Sequence, residues 1–244
     1  KIRCKDFSDK LYDDAVKAGG EKYAELLSLA YRQVMAAHKL VVDNDGNNLY
    51  ISKECFSNGC AATVDVTYPS APMYLYFNTE LLKGMLRPIF KFASSDDWEF
   101  DFAPHDVGQY PLLNGQAYGP HDINMQMPIE ECSNMLVASY SSIYFGANDE
   151  LLKTNYDLLK KWCNYLIEKS LIPTNQLFTD DFFEKIDKNV NLSIKSIQGI
   201  KSFALIAEHF GYNEDSNYAS NELEKFLNKF NEMFSNSNHL PLSY

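Results

Sequence analysis

His105 and Asp106 stand side by side in the stretch FDFAPHDVGQYPLLNGQAYG, residues 100–119. A carboxylate partly shielded from water in such a setting can act as a general acid, or hold a water as a general base. Pro104, Gly108, Pro111, Gly115 and Gly119 leave no room for a helix or strand of ordinary length, so the pair belongs to a loop. Asp106 also precedes the Val107-Gly108 turn, where an Asx turn that ties down the loop backbone is the alternative role. Tyr110 and Tyr118 are the candidate walls for a polar ligand. Asp96, Asp97 and Glu99 flank Trp98 and read as a solvated acidic face, unlike Asp106. Further along, Glu130 and Glu131 follow Pro128 at the expected first turn of a helix. The helix dipole favours acids there. Two adjacent glutamates cannot both face outward, however, so one should point toward the end of the molecule that carries the loop. A loop carboxylate facing one from a helix N-terminus is the minimum apparatus for acid–base hydrolysis.

Other chemistries find no support. The sequence holds no GxSxG, HExxH, Walker loop or GxGxxG. Its five cysteines (Cys4, Cys55, Cys60, Cys132, Cys163) are irregularly spaced and lack the paired ligands of a zinc knuckle. They read as free thiols, with a Cys55–Cys60 disulfide as the alternative. Asp43-Asn44-Asp45-Gly46 has the look of a calcium loop, but Gly46 comes early and the surroundings of Glu54 do not fit, so a turn is expected. No metal and no cofactor is expected. His38 and His209 lie within helical stripes and read as structural. A net charge of −11 argues against an electrostatic nucleic-acid partner. No apolar run approaches the roughly eighteen residues that a membrane span needs.

These residues must be positioned by helices. With 244 residues and 45% hydrophobic content, the chain can bury a sizeable core as one domain, residues 1–244. Apolar residues recur with a helical period from Gly20 to Val42, from Met73 to about Ala93 with a break near Pro88, and from Ile129 to Gly146. Three more helices follow: one starting at Asp149 as N-cap, then Leu192–Phe210 and Ala219–Phe234. Residues 49–52 and 62–66 read as strands of a small hairpin excursion. The expected fold is all-α, built of helix pairs joined alternately by short turns and long loops, as in a closed toroid of α-hairpins. Loops this long in a compact domain are usually functional, which singles out residues 94–128 and 170–190.

Three stretches, SKECFSNGCAATVDVTYPSAP (52–72), FAPHDVGQYPLLNGQAYG (102–119) and MPIEECSNM (127–135), resemble signature blocks of the fungal and bacterial glutaminase A family. The resemblance covers most of residues 20–212 and is looser beyond 213. It implies a six-hairpin (α/α)₆ barrel, here incomplete with three to four hairpins, and a β-rich region upstream. It also implies hydrolysis of the side-chain amide of L-glutamine to L-glutamate and ammonia. TVDVTYPSA (63–71) is similar to a stretch that lines the sugar site of some six-hairpin glycoside hydrolases, which adds Asp65 and Tyr68 as site candidates. By motif, Asp106 with Glu130 or Glu131 would be the acid–base pair, and His105, Asn134 and Asp65 would orient the substrate. The expected partner is a small polar molecule, glutamine or a sugar. Family members are often exported, so an extracytoplasmic location is the expectation. Glycoside hydrolysis and a non-catalytic binding fragment remain alternatives.

Overall fold

The structure is a computed structural model that describes residues 2–54, 56–174, 176–179, 185–235 and 238–244. Two compact units divide the chain, residues 1–39 and 40–244. The first unit is a helical hairpin of α1 (Ile2–Gly19) and α2 (Glu21–Ala36), with Gly20 at φ +83° between them. Only Ala15 and Ala24 are buried among their residues.

The helix expected through Val42 stops at Ala36, and His38–Val42 is strand β1. It pairs with β2 (Asn48–Ser52). Leu40-Val41-Val42 suits a strand better than a helix end because branched side chains lose rotamers against a helical turn. Between the strands, the Asp43 carboxylate accepts from the backbone N–H groups of Asp45 and Asn47 at 3.0 and 2.8 Å, an Asx turn in place of a calcium loop. Strand 49–52 is where the sequence places it. The expected strand at 62–66 is not: Lys53 and Ala61 form one isolated bridge, and from Val64 the chain is helical.

That helix, α3 (Val64–Phe77), contains Pro69 and Pro72, and α4 (Thr79–Ala93) contains Pro88. The break expected at Pro88 falls instead at Asn78, whose side chain caps α4 by accepting from the Glu80 N–H. Val64, Thr67, Ala71 and Tyr74 are buried at helical spacing, so one apolar face outweighs the two hydrogen bonds that the prolines remove from α3.

α5 (Pro128–Tyr144) is the central element, packing on α3, α4, α7 (Tyr156–Lys169) and most extensively on α8 (Val190–His209). Gly199 of α8 permits the close approach. A Cβ there would come within 3.1 Å of the Ser133 Cα on α5 and 2.8 Å of the Leu166 Cδ1 on α7. α9 (Asn213–Phe234) packs on α8, and the short α6 (Glu150–Thr154) precedes α7. Asp149 precedes α6 as expected but caps nothing with its side chain, which pairs with His209 Nε2 at 2.7 Å. Trp162 lies fully buried and stacked on Phe90 at the centre of this core.

Among the described residues no helix is long and apolar enough to cross a membrane. Cys4, Cys60, Cys132 and Cys163 are free thiols, so Cys60 is not in the alternative disulfide. Its expected partner there, Cys55, lies outside the described residues.

Candidate active site

Backbone pairing explains why the punctuated loop is held so firmly. Val64 N–H donates to the His105 carbonyl, Val107 N–H to the Ala61 carbonyl, Ala61 N–H to the Gly108 carbonyl, and Tyr110 N–H to the Gly59 carbonyl. The loop is thus zipped onto the segment that leads into α3. Gly108, at φ +105°, is required there: a Cβ would lie 2.3 Å from the Gly115 carbonyl oxygen. Upstream, Trp98 donates its indole N–H to the Phe102 carbonyl at 2.8 Å, and Phe102 is buried against Phe100 and Tyr165. Asp96, Asp97 and Glu99 are exposed, as the sequence suggests.

This zipper sets His105 beside the first turn of α3. Its Nδ1 lies 2.8 Å from Asp106 Oδ2, and its Nε2 lies 3.3 Å from Asp65 Oδ1. Asp106 also makes the Asx turn, accepting from the Gly108 N–H at 2.7 Å through its other oxygen. Burial works against a charge on His105, but the hydrogen bonds to Asp106 and Asp65 outweigh it and hold the imidazole well above its ordinary pKa. For Asp65 burial would raise the pKa, and the partnership with His105 more than reverses this, so the carboxyl is held below its usual value. His105 and Asp65 keep 19% and 14% of their side chains exposed, enough to be reached by a ligand.

Behind them lies the first turn of α5, its Ile129 N–H capped by the Gln176 side chain. Glu131 is fully buried, and among the described residues the one hydrogen bond at its carboxyl comes from Asn134 Nδ2 at 3.2 Å. Burial first, then the charge of Asp65, push its pKa well above the ordinary value despite the opposing charge of His105. Glu130 faces the other way. It accepts from the Thr179 N–H at 2.8 Å and the Thr179 hydroxyl at 2.7 Å, and it pairs with Lys195 of α8. The Lys195 ammonium also lies 5.3 Å from the centre of the Tyr68 ring.

A cavity of about 270 Å³ opens at His105 and Asp106, with Cys60, Gln116 and Tyr118 among its walls. Burial, followed by the Asp106 charge, pushes the Cys60 thiol up to about 12, so no thiolate nucleophile is available there. Glu54, Asp65 and His105 present donor atoms within 4.8 Å of one another, a spacing that a cation could bridge. Both ring nitrogens of His105 already face carboxylates, so a metal would have to displace the Nε2 proton.

Of the nine candidate residues, Asp65, Tyr68, His105, Asp106, Glu130, Glu131 and Asn134 gather in one cluster, and Tyr118 lines the cavity beside it. Asn134 is 1% exposed and touches Glu131 rather than any open space. Tyr110 stands apart, 44% exposed and stacked under Lys53. Lys195, Thr179, Gln116 and Glu54 carry no signature in the sequence. Thr179 lies in the 170–190 loop that length alone singles out, while Asp180–Glu184 of that loop lie outside the described residues.

The profile of the glutaminase A six helical-hairpin domain matches residues 20–244. The chain belongs to the glutaminase A family. The match runs through the tail, where the sequence resemblance is looser. In that tail Val190 N–H donates to the Leu242 carbonyl and Tyr244 N–H to the Lys188 carbonyl. The chain is similar to a glutaminase A of Aspergillus oryzae, 34% identical over 245 residues, covering 98% of this chain and 35% of that protein. It is similar also to a probable glutaminase of Arthroderma benhamiae, 29% identical over 297 residues, covering 98% of this chain and 34% of that protein. The chain thus spans about a third of the length of these relatives. A glutaminase A family domain of helical hairpins is what the predominantly helical structure presents, with a single two-stranded hairpin among the described residues.

Proposed function

We propose that this glutaminase A family member is an amidohydrolase that converts the side-chain amide of L-glutamine to L-glutamate and ammonia. The observation that carries the reading is His105, held between Asp65 and Asp106 at the edge of the cavity. Asp65 is ionised and partly open, and it serves as the base that takes a proton from the attacking water. The water oxygen bonds to the amide carbon. His105 gives its Nε2 proton to the amide nitrogen as the carbon–nitrogen bond breaks, and ammonia departs. Asp65 then returns the water's proton to His105, so one water is consumed and the protein ends as it began. Asp106, with both oxygens held, keeps the imidazole in orientation. Glu131, fully buried with its pKa raised, lies out of reach of substrate.

Support comes from the family and from the names of the two relatives. The test is ammonia release from L-glutamine by the purified protein. Wild type should turn over glutamine, and Asp65→Asn and His105→Asn should each lower kcat by about 10³-fold with the thermal midpoint retained. Turnover that survives both substitutions, or a wild type that cleaves an oligosaccharide and leaves glutamine intact, would sink the proposal.

A further inference from the structure

One cation at the site has no part in the chemistry proposed above. A chain of contacts runs from Asp106 through His105, Asp65, Thr179 and Glu130 to Lys195 of α8. The Thr179 hydroxyl lies 3.4 Å from Asp65 Oδ2 and 2.7 Å from Glu130 Oε1, the oxygen that Lys195 holds. The reacting groups thus stand at one end of the chain and an ammonium at the other. Buried Glu130 and the ring of Tyr68, one turn after Asp65 on α3, hold that ammonium in place. They do not enclose it. The side chain of Lys83, which ties α4 to Asn148, is 1% exposed, whereas that of Lys195 keeps 21% open. Glu130 also accepts from the Thr179 N–H and hydroxyl, so its charge does not depend on Lys195 alone and the ammonium can serve a second carboxylate.

We infer that Lys195 is a specificity-determining residue whose ammonium pairs with the α-carboxylate of glutamine. This rests on the amidohydrolase reading above. The carboxylate carbon of extended glutamine lies about 5 Å from the amide carbon, and a hydrogen bond at either end adds about 3 Å. Lys195 lies no farther from Asp65 than the three contacts between them laid end to end, so one glutamine reaches both. An ammonium is a compact charge that pairs with a carboxylate without strict direction. Glutamate keeps the same α-carboxylate, so Lys195 selects the amino-acid end of the substrate and leaves the choice of amide to His105 and Asp65. Its anchoring by Glu130 spares the cost of ordering a long side chain on binding.

The test compares L-glutamine with γ-aminobutyramide, which has the amide and the amine but no carboxylate. Lys195→Met removes the charge, and Lys195→Gln, which can still donate to Glu130, repeats the measurement if the first variant does not fold. Ammonia release by the purified protein should show KM for glutamine raised about tenfold or more in either variant, with kcat within about threefold of wild type. The wild-type preference for glutamine over γ-aminobutyramide should shrink by the same factor, and Lys195→Arg should retain most of it. A merely structural lysine would lower turnover of both substrates alike and leave the preference as it was. That result, or an unchanged KM for glutamine, overturns the inference and leaves the amidohydrolase reading in place. A wild type that releases no ammonia from glutamine removes both together.

Discussion

The first turn of α5 has two sides, and its adjacent glutamates meet opposite surroundings there. On the side toward α8, Glu130 finds an ammonium, a hydroxyl and a backbone N–H. On the side toward the loop, Glu131 finds one amide donor and the negative field of Asp65. The first is a compensated carboxylate that ties α5 to α8 and to Thr179. The second is a buried acid whose pKa is raised well above its ordinary value. Identical side chains one residue apart thus acquire different chemistry from what the neighbouring elements place against them. Helix position alone, which favours acids at any N-terminus, would treat them alike.

Breaking the compensated side should have the largest effect on stability. Lys195→Met leaves Glu130 buried without its cation and should cost about 3 kcal/mol in urea denaturation. Glu130→Gln, which keeps a polar group against Thr179, should cost about 2 kcal/mol. The Lys195→Met/Glu130→Gln double variant should lose less than the sum of the two single changes, and strict additivity would show that the pair does not act as one unit.

The other side is sharpened by pH. The pKa of Glu131 is raised in the folded protein above its ordinary 4.5, so folding is favoured by the protonated form. Its contribution is fully present below about pH 4.5 and is lost as pH rises through the folded value. His105 is likewise raised above its ordinary 6.5, so its contribution is present below that pH and lost further up. Glu131→Gln mimics the neutral acid. It should be within about 1 kcal/mol of wild type at pH 4.5 and should flatten the decline in stability from there to pH 8. An identical pH profile for the variant and wild type would mean that Glu131 is ionised in the fold.

Smaller effects follow. Thr179→Val removes one of the donors to Glu130 while the backbone N–H remains, and should cost about 1 kcal/mol by thermal denaturation. Asp97→Asn, on the exposed face before Trp98, should change stability by less than about 0.5 kcal/mol. Treatment with a chelator should leave ammonia release unchanged, because His105 Nε2 faces Asp65 with a proton; loss that zinc or calcium restores would reassign Glu54, Asp65 and His105 as ligands.

Much of the site could be read in the residues themselves. His105-Asp106 on a rigid loop and Glu130-Glu131 after Pro128 are legible because proline, glycine and helix-start signals are local. The same locality explains the errors. Leu40-Val41-Val42 falls in register with the helical stripe although its branched side chains favour a strand, and pairing with β2 decides. Asp65 was expected near a strand end and lies in the first turn of α3, because the buried face from Val64 to Tyr74 carries the helix through two prolines. Lys195 and Gln116 could not have been singled out: a lysine in an amphipathic helix and a glutamine in a loop have no distinctive spacing.

The sequence by itself determined an all-α chain with two long loops, the acids available for chemistry, and the absence of a serine-hydrolase or nucleotide-binding signature. Only the tertiary structure decided which of the two glutamates has its pKa raised by burial, and which carboxylate stands at each ring nitrogen of His105. Composition and period fix which faces are buried. Protonation and hydrogen-bond balance depend on groups up to 114 positions apart, as Asp65 and Thr179 are, and these meet only once the helices have packed.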